Sequence, residues 1–302
     1  MLPLPGRSIA VVSAEGNLVL AWIANGSSGR TRAFIARLDS EARQIGATRE
    51  LPASQTDAAV ENLSLARTAN GFAVAWLEPQ TSKNARAVIT VLDRNFLPIA
   101  GPKIVAETAG LIQLGSLKGD LVAIVGGRFV RFGADGSIVD SFSIGPSADD
   151  VAFGADQLVL VTHTSSQTVR PFLCPHGCPP PITVSSYDLI VIFPTAASLL
   201  VNHFNYFSSL APAIAASSSG FLIAWYDGSN DGGGNVVAAH VDPIAIRSSM
   251  ILGRFSHEAE VAKPSIAWDG DRNIVVWQDA QAIDHDIRGA AITNDGIERF
   301  TV

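Results

Sequence analysis

The stretch KPSIAWDGDRNIVVWQDAQAIDHDIRGAAITN, residues 263–294, decides the fold. It reads as a short small-residue strand (Ser265 to Trp268), a turn (Asp269 to Asn273) and an apolar strand ending in Trp277. A polar loop and a third strand from Ile287 to Thr293 follow. The same pattern recurs along the chain. Apolar strands end at Trp22 (LVLAW), Trp76 (FAVAW) and Trp225 (FLIAW) as one does at Trp277 (IVVW). Seventeen residues after the first three stand Asp39, Asp93 and Asp242; after Trp277 it is Asn294, with Asp295 next. An apolar strand precedes that position each time, as in AFIARL (33–38) and VVAAHV (236–241). An offset held over four copies marks a repeat, which takes precedence over any residue-level reading.

The pitch counts the copies. Trp22 and Trp76 are 54 residues apart, and Trp225 and Trp277 are 52 apart. The gap from Trp76 to Trp225 is 149 residues, room for two copies without the tryptophan. LVAIV (121–125) and LVLV (158–161) supply their apolar strands. Six units result: 8–57, 58–110, 111–148, 149–211, 212–262 and 263–302. A seventh is the alternative if residues 187–210 hide one.

About four short strands per unit of this length make a propeller blade. The expected fold is therefore all-β: one domain, 1–302, a single six-bladed β-propeller of four-stranded antiparallel blades. Strands such as LVLAW are apolar on both faces, Leu18, Leu20 and Trp22 one way, Val19 and Ala21 the other. That suits a sheet packed between two others. The tail GIERFTV (296–302) reads as falling short of a last outer strand. Leu2 to Pro5 is accordingly expected to pair onto the sixth blade and close the ring.

Charged residues are 16% of the chain, against about 25% in typical domains. The net charge of −7 argues against a nucleic-acid partner, which needs a basic face. The longest apolar stretch, Leu189 to Val201, contains Pro194 and is too short to span a bilayer. Met1 to Gly6 (MLPLPG) has no basic segment or long apolar core, so no secretory leader is read there. Composition rich in Ser, Thr, Gly and Asn, with two close cysteines, leans to an extracytoplasmic setting. The expected state is a monomer or a module of a longer chain.

Candidate sites each have a structural alternative. Glu78, Asp227 and Asp279 stand two residues after the strand-ending tryptophans. They make a ring of carboxylates for a cation or sugar hydroxyls, or they cap their own turns. Asp227, Ser229 and Asp231 resemble the first half of a calcium loop, without the bidentate acid at its twelfth position. The alternative is a glycine-rich hairpin. Cys174 and Cys178 are a candidate local disulfide, with free thiols or, with His176, a metal site as alternatives. His285 lies between Asp284 and Asp286, a triplet suited to proton transfer or to a solvated loop.

The run DGDRNIVVWQDAQAIDHDIRGAAITNDG (269–296) resembles the repeat of bacterial secreted or surface propeller proteins, with its Val-Val-Trp-x-Asp…Asp-Ile-x-Gly-Ala core. The last two units match best, the first two partly and the middle two poorly. The resemblance implies the fold and an extracytoplasmic setting. That family brings no agreed activity, so no catalytic residue is carried over. The expected function is a binding or scaffold propeller, without catalysis, recognising glycan or protein at one face of the ring. The alternative is a hydrolase or lyase with an acidic site at the axis. Calcium is the one cofactor considered.

Overall fold

The computed structural model describes residues 8–26, 29–55, 58–81, 84–108, 112–144, 148–154, 157–170, 182–192, 198–204, 212–218, 220–228, 233–242, 244–256, 264–280, 285–293 and 296–301. Among them are 24 strands in six sheets of four. The first sheet holds β1 (Ile9–Ala14), β2 (Asn17–Asn25), β3 (Thr31–Leu38) and β4 (Gln44–Glu50). The second holds β5 (Glu61–Thr68), β6 (Gly71–Pro79), β7 (Ala85–Asp93) and β8 (Pro98–Thr108). The third holds β9 (Ile112–Leu117), β10 (Asp120–Val125), β11 (Arg128–Phe132) and β12 (Ile138–Ser143). The fourth holds β13 (Asp150–Phe153), β14 (Leu158–Arg170), β15 (Ile182–Ile192) and β16 (Ser198–Phe204). The fifth holds β17 (Ala213–Ser217), β18 (Gly220–Gly228), β19 (Gly233–Val241) and β20 (Ile246–Ser256). The sixth holds β21 (Ser265–Trp268), β22 (Asn273–Ala280), β23 (His285–Thr293) and β24 (Gly296–Thr301).

Every sheet is an antiparallel meander in chain order, and the fold is a six-bladed β-propeller. Three blades lie in each of two compact units, Met1–Ser147 and Ala148–Val302. Residues 187–192 and 198–204 belong to the fourth sheet, so no seventh sheet stands there among the described residues. The length added to the fourth unit goes into its middle hairpin, where β14 and β15 stay in register from Leu160–Ile192 to Arg170–Ile182. One expectation is corrected. The tail does not fall short, because Gly296–Thr301 is itself the fourth strand of the sixth sheet, paired along β23. The strand expected to complete that blade, Leu2 to Pro5, lies outside the described residues.

Strand direction alternates within a blade. The turns after its first and third strands therefore share one end, the turn end. The loops after its second strand lie at the other, the loop end, with the connections to the next blade. Local sequence builds the turn end. Glu15-Gly16 and Lys118-Gly119 take positive φ, the two-residue hairpin geometry that matches strand twist, as does Gly126-Gly127 at the loop end of the third blade. The aspartate found seventeen residues after the tryptophan closes the turn after the third strand. Asp39 Oδ1 accepts the backbone N–H of Glu41 and Arg43, both at 2.9 Å. Asp93 does the same for Asn95 and Leu97, both at 2.8 Å, and Asp242 for Ile244 and Ala245, both at 2.9 Å.

The second strands β2, β6, β10, β14 and β18 have runs buried on both faces, and β22 is fully buried on one. Phe72, Val74 and Trp76 of β6 pack with Val19, Ala21 and Ile23 of β2. Ala73, Ala75 and Leu77, on its other face, pack with Leu121, Ala123 and Val125 of β10. In the second unit, Ile223 and Trp225 of β18 meet Val159 and Val161, while Leu222, Ala224 and Tyr226 meet Val275 and Trp277. Trp22 packs on the opposite face of β2 from Val19, with Leu20, Ala36 and Leu38. Burying one such aromatic removes about 150–250 Å² from water, worth roughly 4–6 kcal/mol.

First strands neighbour one another within each unit, and hydrogen bonds join them. Ser8 Oγ accepts the Leu63 N–H at 3.1 Å, Ser64 Oγ that of Leu114 at 2.8 Å, and Asp150 Oδ2 that of Ile214 at 3.0 Å. Each side chain sits at or near the start of its blade's first strand and reaches the first strand of the next blade.

Candidate binding site

The carboxylates expected at the loop end meet different fates. Glu78 closes β6 just beyond Trp76 and is fully buried. Its Oε1 accepts the Ser54 backbone N–H at 2.8 Å and the Trp76 indole N–H at 3.0 Å. Its Oε2 accepts the Ser54 hydroxyl. Glu78 is thus an internal latch between the connection leading into the second blade and the tryptophan. Arg32 reinforces the same connection, donating from a buried guanidinium to the Ala58 carbonyl at 2.5 Å.

Asp227 occupies the equivalent place after Trp225, opposite Asn235 in the β18–β19 ladder. It is half-buried, and that burial pushes its carboxyl above the ordinary aspartate value. Aspartate is one methylene shorter than glutamate, and the latch is not formed. Trp225 and Trp277 both bury their indole N–H without a hydrogen-bond partner among the described residues. Asp279 is paired through the backbone with Asp286, and His285 with Ala280, at the start of β23. His285 therefore begins β23, two residues before the start expected at Ile287, instead of lying in the polar loop. Ser229, Asp231, Cys174 and Cys178 lie outside the described residues. Among the described residues no three His, Cys, Asp or Glu side chains gather to hold a metal ion.

The turn end of the first unit holds a cavity of about 220 Å³ between the second and third blades. Its polar lining comes from two hairpins. Thr68 ends β5 and Asn70 sits in the turn after it; Asp120 opens β10. Its apolar wall is Val91, Leu121 and Phe132, each buried in the blade core. The Thr68 hydroxyl is buried, and among the described residues it has no hydrogen-bond partner. Asp120 holds Arg131 at 3.4 Å across an exposed surface. Such pockets exceed about 300 Å³ when they bury a drug-sized ligand, so this one is limited to a single small ring. Sequence reading missed it. The only local signals, Asn70-Gly71 and Gly119-Asp120, are those of ordinary turns.

No family model matches the sequence, and no curated protein matches it. Solved structures do resemble the chain. A periplasmic gluconolactonase from Pseudomonas aeruginosa superposes with a TM-score of 0.49 at 13% identity, over 97% of this chain and 83% of its own. The six-bladed fucose-recognising lectin of Aleuria aurantia gives 0.42 at 9% identity, over 97% and 94%. A puromycin-hydrolysing peptidase from Mycobacterium tuberculosis gives 0.38 at 13% identity, and this chain spans 38% of its length. These likenesses are of chain trace, and no residue role follows from them. Among the described residues no helix is long and apolar enough to cross a membrane.

Proposed function

We propose that this propeller is a binding module that recognises a saccharide, at the turn end of its second and third blades, in an extracytoplasmic setting. The observation that supports the reading is the make-up of the cavity lining, polar groups of two turns set against an apolar wall. A sugar ring has an apolar C–H face and a rim of hydroxyls that both donate and accept. Val91, Leu121 and Phe132 offer the apolar wall. The Asn70 amide donates and accepts, and the Asp120 carboxylate accepts.

The test is a glycan array read with the wild-type chain, Asn70→Ala and Asp120→Asn, each with calcium and with EDTA. Binding to a related set of glycans, weakened at least about tenfold in both variants at unchanged Tm, supports the reading. A blank array, or variants that bind as the wild type does, overturns it. Loss in EDTA alone transfers the site to Asp227 and the residues that follow it.

A further inference from the structure

A depression continues from that cavity toward the first blade. Thr68 and Ala69 line both the cavity and a small hollow beside it. Arg37 and Arg94 line both that hollow and a wide groove beyond, of about 570 Å³, walled by β4. The trough therefore runs across all three blades of the first unit, and its chemistry changes along its length. At the cavity the one charged lining residue is Asp120, balanced by Arg131 3.4 Å away. In the hollow and the groove stand four arginines, Arg37, Arg49, Arg67 and Arg94, against two acids, Glu15 and Glu50.

Those acids neutralise the arginines only in part. Glu15 Oε1 is shared, 3.3 Å from Arg94 and 3.8 Å from Arg67. Glu50 lies 3.7 Å from the buried Arg32, outside the trough. Arg37 is held in place: its guanidinium lies over the Phe96 ring, 5.5 Å from the centroid, and donates to the Arg94 carbonyl at 2.6 Å. Such a fixed planar fork has paid its ordering entropy before a ligand arrives. This positive surplus sits in a chain of net charge −7.

We propose that the trough binds an acidic oligosaccharide. A carboxylate or sulfate carried by one sugar residue lies on Arg37, Arg49 and Arg94, while a neutral residue beside it fills the cavity at Thr68, Asn70 and Asp120. This rests on the saccharide reading of the cavity. The unequal ends decide against a uniform polyanion. A nucleic-acid strand, or a peptide acidic at every position, would find no surplus positive charge at Asp120, already balanced by Arg131, whereas a chain alternating charged and neutral sugars matches both ends.

The test is calorimetric titration of the full chain with four probes. One is an oligosaccharide of alternating uronate and N-acetylhexosamine; the second is its carboxyl-reduced, neutral counterpart. The third is a sulfated form of the same backbone, and the fourth is an oligoglutamate peptide. The acidic sugars are expected to bind at least about tenfold tighter than the neutral one, with affinity falling as salt rises. The Arg49→Ala, Arg94→Ala double variant, at two exposed positions, is expected to erase that preference and keep the neutral affinity. Which acidic form binds tighter identifies the anion. Equal binding of acidic and neutral sugars overturns the inference and leaves the saccharide reading standing. Oligoglutamate binding as tightly as the sugars overturns it in favour of a peptide. No binding by any sugar overturns both.

Discussion

Replacing Glu78 separates a structural carboxylate from a functional one. Both of its close N–H donors, Ser54 and the Trp76 indole, converge on Oε1, and Oε2 takes only the Ser54 hydroxyl. Glutamine reproduces this arrangement: its amide oxygen takes both N–H groups, and the Ser54 hydroxyl rotates to accept from the amide nitrogen. Glu78→Gln is therefore expected to cost under about 1 kcal/mol. Glu78→Ala orphans two N–H donors at about 1–3 kcal/mol each and leaves a void beside Trp76. The expected loss is about 3–5 kcal/mol, a fall of roughly 6–15 °C in Tm. Thermal unfolding followed by far-ultraviolet circular dichroism measures both, and Trp76 emission reports the lost indole bond. Glutamine as damaging as alanine, or alanine within 1 kcal/mol of wild type, would refute the latch. Loss of ligand binding in a fully stable Glu78→Gln protein would make the carboxylate functional instead.

Other consequences are checked the same way. A Cβ on Gly253 would stand 2.6 Å from Cζ2 of the buried Trp277, so Gly253→Ala should cost about 1–3 kcal/mol. At Gly289 the clash is with Phe300, which is 37% exposed and free to swing, so Gly289→Ala should be milder; the reverse order would sink the packing argument. Ser64→Ala orphans the buried Leu114 N–H and should lower stability by about 1–3 kcal/mol, while Thr68→Val removes a buried hydroxyl that has no partner among the described residues and should leave Tm level or higher. Asp227→Glu should reach the Trp225 indole and raise Tm by about 2–4 °C; an unchanged Tm would show that the missing methylene is not what leaves the indole unpaired. Backbone N–H groups hold Asp39, Asp242 and Asp269 below the ordinary aspartate value, and the Ser137 hydroxyl does so for Asp135. Their folded values lie below their unfolded ones, so their stabilisation is complete above about pH 4 and is lost as pH falls further. A Tm that stays flat from pH 5 to pH 2.5 would contradict this. Asp227 acts with the opposite sign, weakening the fold as pH rises through its raised value.

The repeat was legible because two of its positions answer to physics that does not vary from blade to blade. Trp76, Trp225 and Trp277 fill the space between neighbouring sheets, and Asp39, Asp93 and Asp242 each bind two N–H groups of the same turn. The outer strands were less legible. The described side chains of β4 are exposed throughout, and those of β24 nearly so. No core pattern constrains them, which is why GIERFTV looked too short to be a strand. The role of Glu78 was hidden because its partner Ser54 is 24 residues away on a connection. The bonds between first strands were hidden because Ser8, Ser64 and Asp150 share a function but no side chain. The cavity was hidden because its polar groups come from turns of two blades, each unremarkable alone.

Ser64 and Thr68 show how the fold separates structure from site. They are four residues apart on β5, so their side chains leave the same face of the strand, toward the third blade. Both are hydroxyls that the third blade approaches. Ser64 is met by the Leu114 N–H; Thr68, where the strand reaches the turn end, is met by nothing among the described residues. The loop end of the same blade repeats the first case, with Glu78 taking three donors. Stability alone favours satisfying every buried polar group. Thr68 is an exception beside the cavity, and the exposed polar residues of the lining, Asn70 and Asp120, are the ones a ligand could reach. The arginines continue the same surface: Glu15 is divided between two of them, so a second anion is still favourable there. Carboxylates and hydroxyls already met mark the frame of the propeller, and the arginines in excess of their acids are what the proposed partner would use.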